Sequence, residues 1–143
     1  MGQVLGIFVS NGGVPKLAVE SAEITLSGLL GDNQADKKHH GGEMKAVCVL
    51  ENEILTKLQS EGHPIMPGTT GENLLVEGFN LGIGTIFTVG DSELEVVSAA
   101  TPCKTIEGSF SDGDFNRISH KKYPGDTRWY CKVIRPGKVR IYA

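Results

Sequence analysis

The sequence predicts a mainly β domain, folded as a β-barrel or as closely packed sheets. Glycine makes up 19 of the 143 residues, well above the usual ~7%, and the glycines are scattered, as many tight turns require. Short apolar or alternating segments, bounded by turn signals, suggest six to eight strands, whereas one segment has clear helical periodicity. These observations together favour a compact β fold with little helix.

The first third of the chain is predicted to hold three strands and one long polar loop. The string VLGIFVS at 4–10 is apolar enough for a buried strand, and AEITLSG at 22–28 alternates as a strand with one wet face does. Residues 28–42 contain almost no apolar side chains and are expected to form a loop. MKAVCVL at 44–50 is then predicted as a strand buried on both faces, which makes Cys48 a small core residue.

One helix is predicted in the string ENEILTKLQSEGH. Ile54, Leu55 and Leu58 share one helical face, acidic residues occupy the first turn, and Gly62 is a natural terminator. The string PGTTGEN at 67–73 is expected to return to loop.

Two hairpins are predicted in the second half of the chain. TIFTV and ELEVVSA flank GDS at 90–92, and RWYCKVI at 128–134 and KVRIYA at 138–143 flank the string RPG. Cys131 falls in an apolar strand and is expected in the core. The polar stretch between the hairpins is predicted to contain one short helix near Phe115–Ile118.

Composition indicates one domain, residues 1–143, in the cytoplasm. A net charge of −3 without Lys/Arg blocks argues against nucleic acid or a membrane surface as a partner. No apolar stretch is long enough to span a bilayer. Three cysteines, an odd number with no CxxC pair, favour reduced thiols over a disulfide framework or a zinc ribbon.

Cys103 is the most informative residue because it follows a predicted strand and lies between Pro102 and Lys104. Proline ends strand pairing, and a nearby ammonium favours the thiolate, which is the nucleophile and the metal ligand. Local chemistry leaves open whether this thiol attacks a substrate, carries sulfur or binds a soft metal. A thiol hydrolase would need His40 or His120 as its base, and no oxyanion-hole signature is visible.

Two polar loops are expected to lie near Cys103 at one edge of the fold. The loop at 67–74 contributes Glu72 and Asn73, which could instead satisfy turn and backbone groups. The loop at 28–47 carries carboxylates, an amide and two histidines: Asp32, Gln34, Asp36, His39 and His40. Adjacent histidines rarely both ligate a metal, so a zinc site is disfavoured.

Four strings in order carry a family resemblance. They are GLLGDNQADKKHHGGEMKAV, PGTTGENL, LEVVSAATPCKTI and RWYCKVIRPGKV. In sequence and spacing, over nearly the whole chain, they resemble the MOSC domain, named for the C-terminal domain of molybdenum cofactor sulfurases. The resemblance is to small, stand-alone bacterial members. It implies a closed β-barrel like that of the pyruvate kinase barrel domain.

The resemblance also implies binding of a molybdenum–pterin cofactor, or handling of sulfur destined for it. In family members that reduce N-hydroxylated compounds, a cysteine of this motif ligates molybdenum, and the match gives that role to Cys103. The electron donor would then be an external flavin or iron–sulfur protein. The alternative is a sulfur-carrier or cofactor-delivery protein with a persulfide on Cys103, supplied by a cysteine desulfurase.

Candidate site residues follow from placing this cofactor among the matched motifs. Cys103 and His40 are the candidate catalytic residues, with His40 as a proton shuttle or hydrogen-bond partner. A terminal phosphate needs cationic or N–H partners, and pterin edges need donors and acceptors. The candidate cofactor-binding residues are Lys16, Lys45, Lys104 and Arg128 among the cations, and Asp32, Gln34, Asp36 and Asn73 for the pterin.

Overall fold

A computed structural model describes residues 2–10, 14–32 and 42–142 of the chain. The regular structure in these residues comprises ten strands, one α-helix and four short 3-10 helices. The strands are β1 Gln3–Val9, β2 Leu17–Val19, β3 Ser21–Thr25, β4 Gly28–Leu29, β5 Val47–Glu51, β6 Leu74–Glu77, β7 Ile86–Val89, β8 Ser92–Ala100, β9 Arg128–Arg135 and β10 Gly137–Arg140. The helix α1 spans Asn52–Ser60, and the 3-10 helices span Glu43–Lys45, Lys104–Ser109, Ser111–Gly113 and Phe115–Ile118.

The strands form two sheets. The larger has seven strands in the order β2-β1-β6-β5-β9-β8-β7, and the smaller has three in the order β10-β3-β4. Only β5 and β6, among the described strands, pair in parallel. A parallel pair needs a crossover, and α1 supplies part of it between these two strands. Of the helices in the described ranges, none is long and apolar enough to cross a bilayer.

The prediction of mainly β structure is confirmed, but the prediction of a closed β-barrel is wrong. Within the described residues neither sheet closes on itself, because β2 and β7 remain the two edges of the larger sheet. The smaller sheet packs against the larger one instead, and Ile24, Leu29 and Val139 from it share one apolar cluster with the larger sheet. The core is therefore enclosed by two packed sheets, the second alternative that the strand pattern allowed.

One predicted hairpin is confirmed and the other is wrong. β7 and β8 pair antiparallel with Val89 opposite Ser92, around a two-residue turn. By contrast, β9 pairs with β5 and β8, while β10 pairs with β3. Pro136 separates β9 from β10 and has no N–H for a hairpin ladder. At Gly137 the backbone passes so close to Asp91 that an added Cβ would lie 2.5 Å from its carbonyl oxygen.

The remaining element predictions differ from the structure mainly at their ends. The predicted helix is α1, the predicted short helix at Phe115–Ile118 is a 3-10 helix, and Cys131 is fully buried in the core. The strand predicted at 44–50 starts only at Val47, after a 3-10 turn, and the loop predicted at 28–42 begins with the two residues of β4.

The larger sheet has two buried faces. One packs on the smaller sheet. On the other, Phe8, Leu50 and Leu75 pack with Leu55 of α1 and Ile106 of the segment after β8. This second cluster anchors the 3-10 helix that follows Cys103 onto the sheet.

A charged network fastens the 3-10 segment to the end of α1. The buried Arg117 guanidinium donates to both carboxylate oxygens of Glu61, at 2.7 and 2.8 Å, and to Asp126 at 3.0 Å. Lys57 contacts Asp126 at 2.9 Å, and the Arg117 guanidinium also lies 4.2 Å from the Tyr123 ring centroid. Such planar, two-oxygen pairing is geometrically specific as well as strong.

We expect Arg117→Met to destabilise the fold by about 1.5–3 kcal/mol, because the charge-assisted hydrogen bonds to Glu61 and Asp126 are lost. Urea unfolding followed by circular dichroism measures this. Arg140→Met, at an exposed arginine on β10, is the matched control and should change stability by no more than about 0.5 kcal/mol. Equal effects of the two substitutions would contradict the assigned role of the network.

The same network predicts a dependence on pH. The Arg117 hydrogen bond lowers the pKa of Glu61 below its ordinary value. The stability it contributes is therefore present above the ordinary glutamate pKa of about 4 and is lost as pH falls through the lowered value. The stability difference between the protein and Glu61→Gln, measured by urea unfolding, should be constant near neutrality and shrink in acid. A difference that grows in acid would refute this.

Candidate functional site

Strand register gathers chemically active side chains on one face of the larger sheet. Cys48 of β5 lies opposite Tyr130 of β9, and Arg128 of β9 lies opposite Ala100 of β8. Because side chains alternate along a strand, the intervening Trp129 points into the core between the sheets. Cys48, Ala100 and Tyr130 form a small buried cluster of their own.

Arg128 is the most unusual side chain of this face. It is 6% exposed, and its Nη1 donates to the carbonyl of Thr70 at 2.6 Å, while Nη2 is 3.5 Å from the carbonyl of Ala100. Its Nε is buried and has no hydrogen-bond partner among the described residues, and no carboxylate there forms a salt bridge with it. A buried donor without a partner is destabilising by about 1–3 kcal/mol, so this atom calls for an explanation.

The loop that Arg128 contacts is fixed from within by Glu72. This carboxylate is fully buried, and it accepts the Gly68 N–H at 2.6 Å and the Thr70 hydroxyl at 2.8 Å. Both oxygens are thus engaged in shaping the loop between α1 and β6. Glu72 therefore holds the carbonyl of Thr70 where Arg128 reaches it.

Cys103 lies next to this face, three residues after the end of β8. Its side chain is half-buried, and its sulfur lies 2.9 Å from the Thr105 hydroxyl oxygen. Burial raises the pKa of Tyr130, and the neighbouring Cys48 and Cys103 thiols add to that rise. The phenol is therefore a near neighbour of both thiols. We call Cys48, Glu72, Cys103, Arg128 and Tyr130 the Arg128 cluster.

The two thiols of the cluster differ in environment. Cys48 is 5% exposed, and burial raises its pKa to about 11. Arg128 lowers that pKa, and Glu72 raises it. Burial also raises the pKa of Cys131, which is fully buried. Cys48 and Cys131 thus stay protonated at neutral pH, and Cys103 is the cysteine that solvent reaches.

Three of the predicted cofactor-binding residues form a structural network instead of facing open space. Lys16 Nζ donates to Asp32 at 2.7 Å, and Asn73 Nδ2 donates to the same oxygen at 2.9 Å. The Asn73 amide also accepts the Cys48 N–H at 3.0 Å and donates to the Phe8 carbonyl at 3.2 Å. This network joins β1, β5 and the start of β6 beside the Arg128 cluster.

The other predicted residues are distributed as follows. Lys45 is half-buried with its Nζ 5.3 Å from the Tyr130 ring centroid, and Lys104 is exposed next to Cys103. Gln34, Asp36 and the histidines at 39 and 40 lie outside the described residues.

His120 packs edge-on against Trp129, and its Nδ1 accepts the Gly125 N–H at 2.8 Å.

Neither a zinc site nor a cysteine–histidine pair is seen in the part of the chain that the structure describes. There, no three His, Cys, Asp or Glu side chains are grouped so that they could hold a metal ion. The Cys103 sulfur contacts Thr105, and the Nδ1 of His120 is engaged elsewhere.

Sequence reasoning missed Tyr130 and the structural work of Glu72. Tyr130 lies two residues after Arg128, and residues at that spacing in a strand share a face. The sequence pattern could therefore have placed both side chains on one face of β9. That this face also carries Cys48 depends on the pairing of β5 with β9, which no local pattern reveals.

Comparisons with known proteins agree with the motifs. A family model described as the MOSC domain matches residues 36–141. Protein YiiM of Escherichia coli (strain K12) is 31% identical over 123 residues, and the match covers 81% of this chain and 54% of that protein. Uncharacterized protein YflK of Bacillus subtilis (strain 168) is 32% identical over 113 residues, covering 76% of this chain and 50% of that protein.

Structural comparison gives a similar result. The crystal structure of YiiM from Escherichia coli superimposes with a TM-score of 0.70 at 25% sequence identity, covering 98% of this chain and 66% of that one. The chain spans about half the length of the curated relatives it matches. The family match shows that the chain belongs to the MOSC domain family, whose members are associated with the molybdenum cofactor.

Asn73→Asp tests the structural role of the network around Asp32. The substitution keeps the shape but replaces an amide donor with an anionic oxygen facing Asp32 and the Phe8 carbonyl. We expect a loss of at least about 2 kcal/mol in unfolding free energy, measured by urea denaturation. The control is Asn116→Asp, at a half-buried position whose side chain makes no hydrogen bond within the described ranges. Comparable stability of both variants would contradict the structural role.

Proposed function

We propose that this MOSC-domain chain binds a molybdenum–pterin cofactor at the Arg128 cluster, with Cys103 as the protein ligand of molybdenum. The complex would reduce N-hydroxylated compounds with electrons from an external flavin or iron–sulfur protein. The observation that carries the proposal is that Tyr130 has two neighbours of the required chemistry, the half-buried Cys103 thiol and the buried Arg128, whose Nε has no partner in the described residues.

Arg128 fits an anionic ligand such as the cofactor's phosphate. A buried guanidinium without a carboxylate partner is unfavourable, and an oxyanion accepting from Nε would supply both the missing hydrogen bond and the opposite charge. Glu72 does not take this role, because the Gly68 N–H and the Thr70 hydroxyl engage its oxygens. Lys45, whose Nζ lies 5.3 Å from the Tyr130 ring centroid, and Lys104, next to Cys103 in the chain, would add positive charge.

Cys103 fits a soft metal ligand. Thiolate sulfur suits molybdenum–sulfur centres, and this sulfur is reachable from solvent, unlike those of Cys48 and Cys131. The Thr105 hydroxyl contacts the sulfur at 2.9 Å and would fix its direction by donating a hydrogen bond. When bound, the cofactor would supply the oxygen-transfer chemistry, while these residues bind and orient it.

The other predicted site residues take supporting roles in this proposal. Lys16, Asp32 and Asn73 would keep β1, β5 and the loop before β6 in register rather than contact the cofactor. Gln34, Asp36 and His40 remain predictions, with His40 as the candidate proton shuttle and the two others as pterin partners.

A sulfur-carrier or cofactor-delivery role is the second candidate, and the same network favours it. Because Lys16, Asp32 and Asn73 already satisfy one another, fewer side chains are left to retain a cofactor tightly. A persulfide on Cys103, supplied by a cysteine desulfurase, needs only an accessible thiol. Mass spectrometry after incubation with a desulfurase and cysteine would reveal one added sulfur atom on Cys103.

Molybdenum content after purification from a cofactor-producing host tests the first proposal. We expect molybdenum in the protein and about a tenfold or greater loss in Cys103→Ser and in Arg128→Met, since the first removes a ligand and the second an anion partner. The controls are Cys131→Ala, in the core, and Arg140→Met, on the surface; both should retain the metal.

Metal retained by Cys103→Ser would remove the ligand assignment. Metal-free protein in which Cys103 accepts sulfur from the desulfurase would decide for the carrier role.

A further inference from the structure

A shallow groove of about 300 Å³ lies beside Cys103. Three chain segments line it: residues 14–15, residues 64–69 and residues 105–109. Thr105 belongs to the third segment, and its hydroxyl is the group that contacts the Cys103 sulfur. A molecule in this groove would therefore rest against the residue that touches the thiol. We call this cavity the Thr105 groove.

Hydrogen bonds between the segments preform the groove. The Lys16 N–H donates to the Gly68 carbonyl at 3.0 Å, which ties the first segment to the second. The Ser109 hydroxyl donates to the Thr69 hydroxyl oxygen at 2.9 Å, which ties the third to the second. Ile106 is anchored in the apolar cluster beneath. The walls thus keep their spacing without a ligand.

Among the described residues, those that line the groove carry no charge. Its side chains are aliphatic, prolyl or hydroxyl-bearing, including Pro15, Pro64, Thr69 and Ser109. An ionised ligand would lose hydration there and gain no opposite charge, whereas a neutral ligand would bury apolar surface and still find hydroxyl groups. The volume is at the lower end of the range for small-molecule sites, roughly 300–1,000 Å³.

We propose that the Thr105 groove binds a neutral, largely apolar small molecule and presents it to the Cys103 site. A role of the groove as the substrate pocket rests on the reaction proposed above, whereas ligand binding next to the accessible Cys103 thiol does not depend on that reaction. The Arg128 cluster would take the anionic component, and the groove would take the uncharged one.

Gly108 provides a direct way to fill the groove. It lines the cavity, an added Cβ there would meet nothing within 4 Å, and its backbone lies outside the left-handed region. Gly108→Leu should therefore occupy the groove without displacing Cys103, and Gly108→Ala should do so partly. Gly82 has equally open surroundings and an ordinary backbone away from the groove, so Gly82→Leu is the matched control.

The experiment measures alkylation of Cys103 in metal-free protein, located by peptide mass spectrometry. The probes are N-phenylmaleimide, which is neutral and carries a ring, its para-carboxylate analogue, which is anionic, and iodoacetamide, which is too small to need the groove. In each maleimide reaction the sulfur adds to the carbon–carbon double bond and the neighbouring carbon takes up a proton. The iodoacetamide rate corrects for changes in thiol reactivity.

We expect the ratio of the N-phenylmaleimide rate to the iodoacetamide rate to fall about fivefold in Gly108→Leu, as for the loss of roughly 40 Å² of buried apolar contact. The ratio should fall less in Gly108→Ala and stay unchanged in Gly82→Leu. Gly108→Leu should lower the rate of the anionic maleimide less than that of the neutral one, because the groove favours the uncharged reagent.

Unchanged ratios in both Gly108 variants, or an equal fall for the neutral and the anionic maleimide in Gly108→Leu, would overturn the groove proposal. Because the assay contains no metal, its failure is distinct from a failure of molybdenum binding, which the metal analysis of Cys103→Ser detects.

Discussion

The register between β5, β9 and β8 is the constraint on which the site depends. It pairs Cys48 with Tyr130 and Ala100 with Arg128, and it sends Trp129 to the opposite face. A slip of one residue would exchange the two faces, placing a guanidinium in the core between the sheets. The apolar core therefore specifies the face that carries the Arg128 cluster, because burying one set of side chains fixes where the other set must lie.

Charge is distributed unevenly across that face. Lys16 and Asp32 satisfy each other, and Glu72 is satisfied by loop donors. Arg128 is held by two carbonyl oxygens and keeps an unpartnered Nε. A buried donor of this kind is unfavourable in the protein alone, and for that reason the proposed function places an anionic ligand beside it. Two thiols near this face differ in exposure: Cys48 is buried and protonated, whereas Cys103, three residues after the end of β8, is accessible to solvent.

Local sequence patterns predicted those features that depend on near neighbours. Helix α1, the turn between β7 and β8, and the burial of Cys131 all follow from periodicity and turn residues within a short window. The prediction of a hairpin around RPG was wrong because β10 pairs with β3, more than a hundred residues away in the chain. A local pattern cannot compare the stability of that pairing with the stability of pairing to the adjacent β9. The prediction of a closed barrel was wrong for the same reason. Closure depends on pairing between the two edge strands of a sheet, which are distant in the chain.

The sequence indicated which residues have unusual chemistry, but not which residues they contact. Cys103 stood out because of its neighbours, and Arg128 and Asn73 belonged to recognisable motifs. The Asn73 amide forms hydrogen bonds with Phe8, Cys48 and Asp32. The sequence could not predict these partners, because they depend on the tertiary fold. Tyr130 escaped notice for a related reason: an aromatic residue in an apolar strand looks like core until the opposing strands are known.

Protection of Cys103 by bound cofactor tests the central claim most directly. Protein carrying molybdenum and its metal-free form are pulsed with iodoacetamide, and each cysteine is quantified by mass spectrometry. The account predicts that Cys103 reacts in the metal-free form and is protected in the molybdenum form, while Cys48 and Cys131 stay unmodified in both. Equal labelling of Cys103 in the two forms would show that the metal is bound elsewhere and would contradict the account.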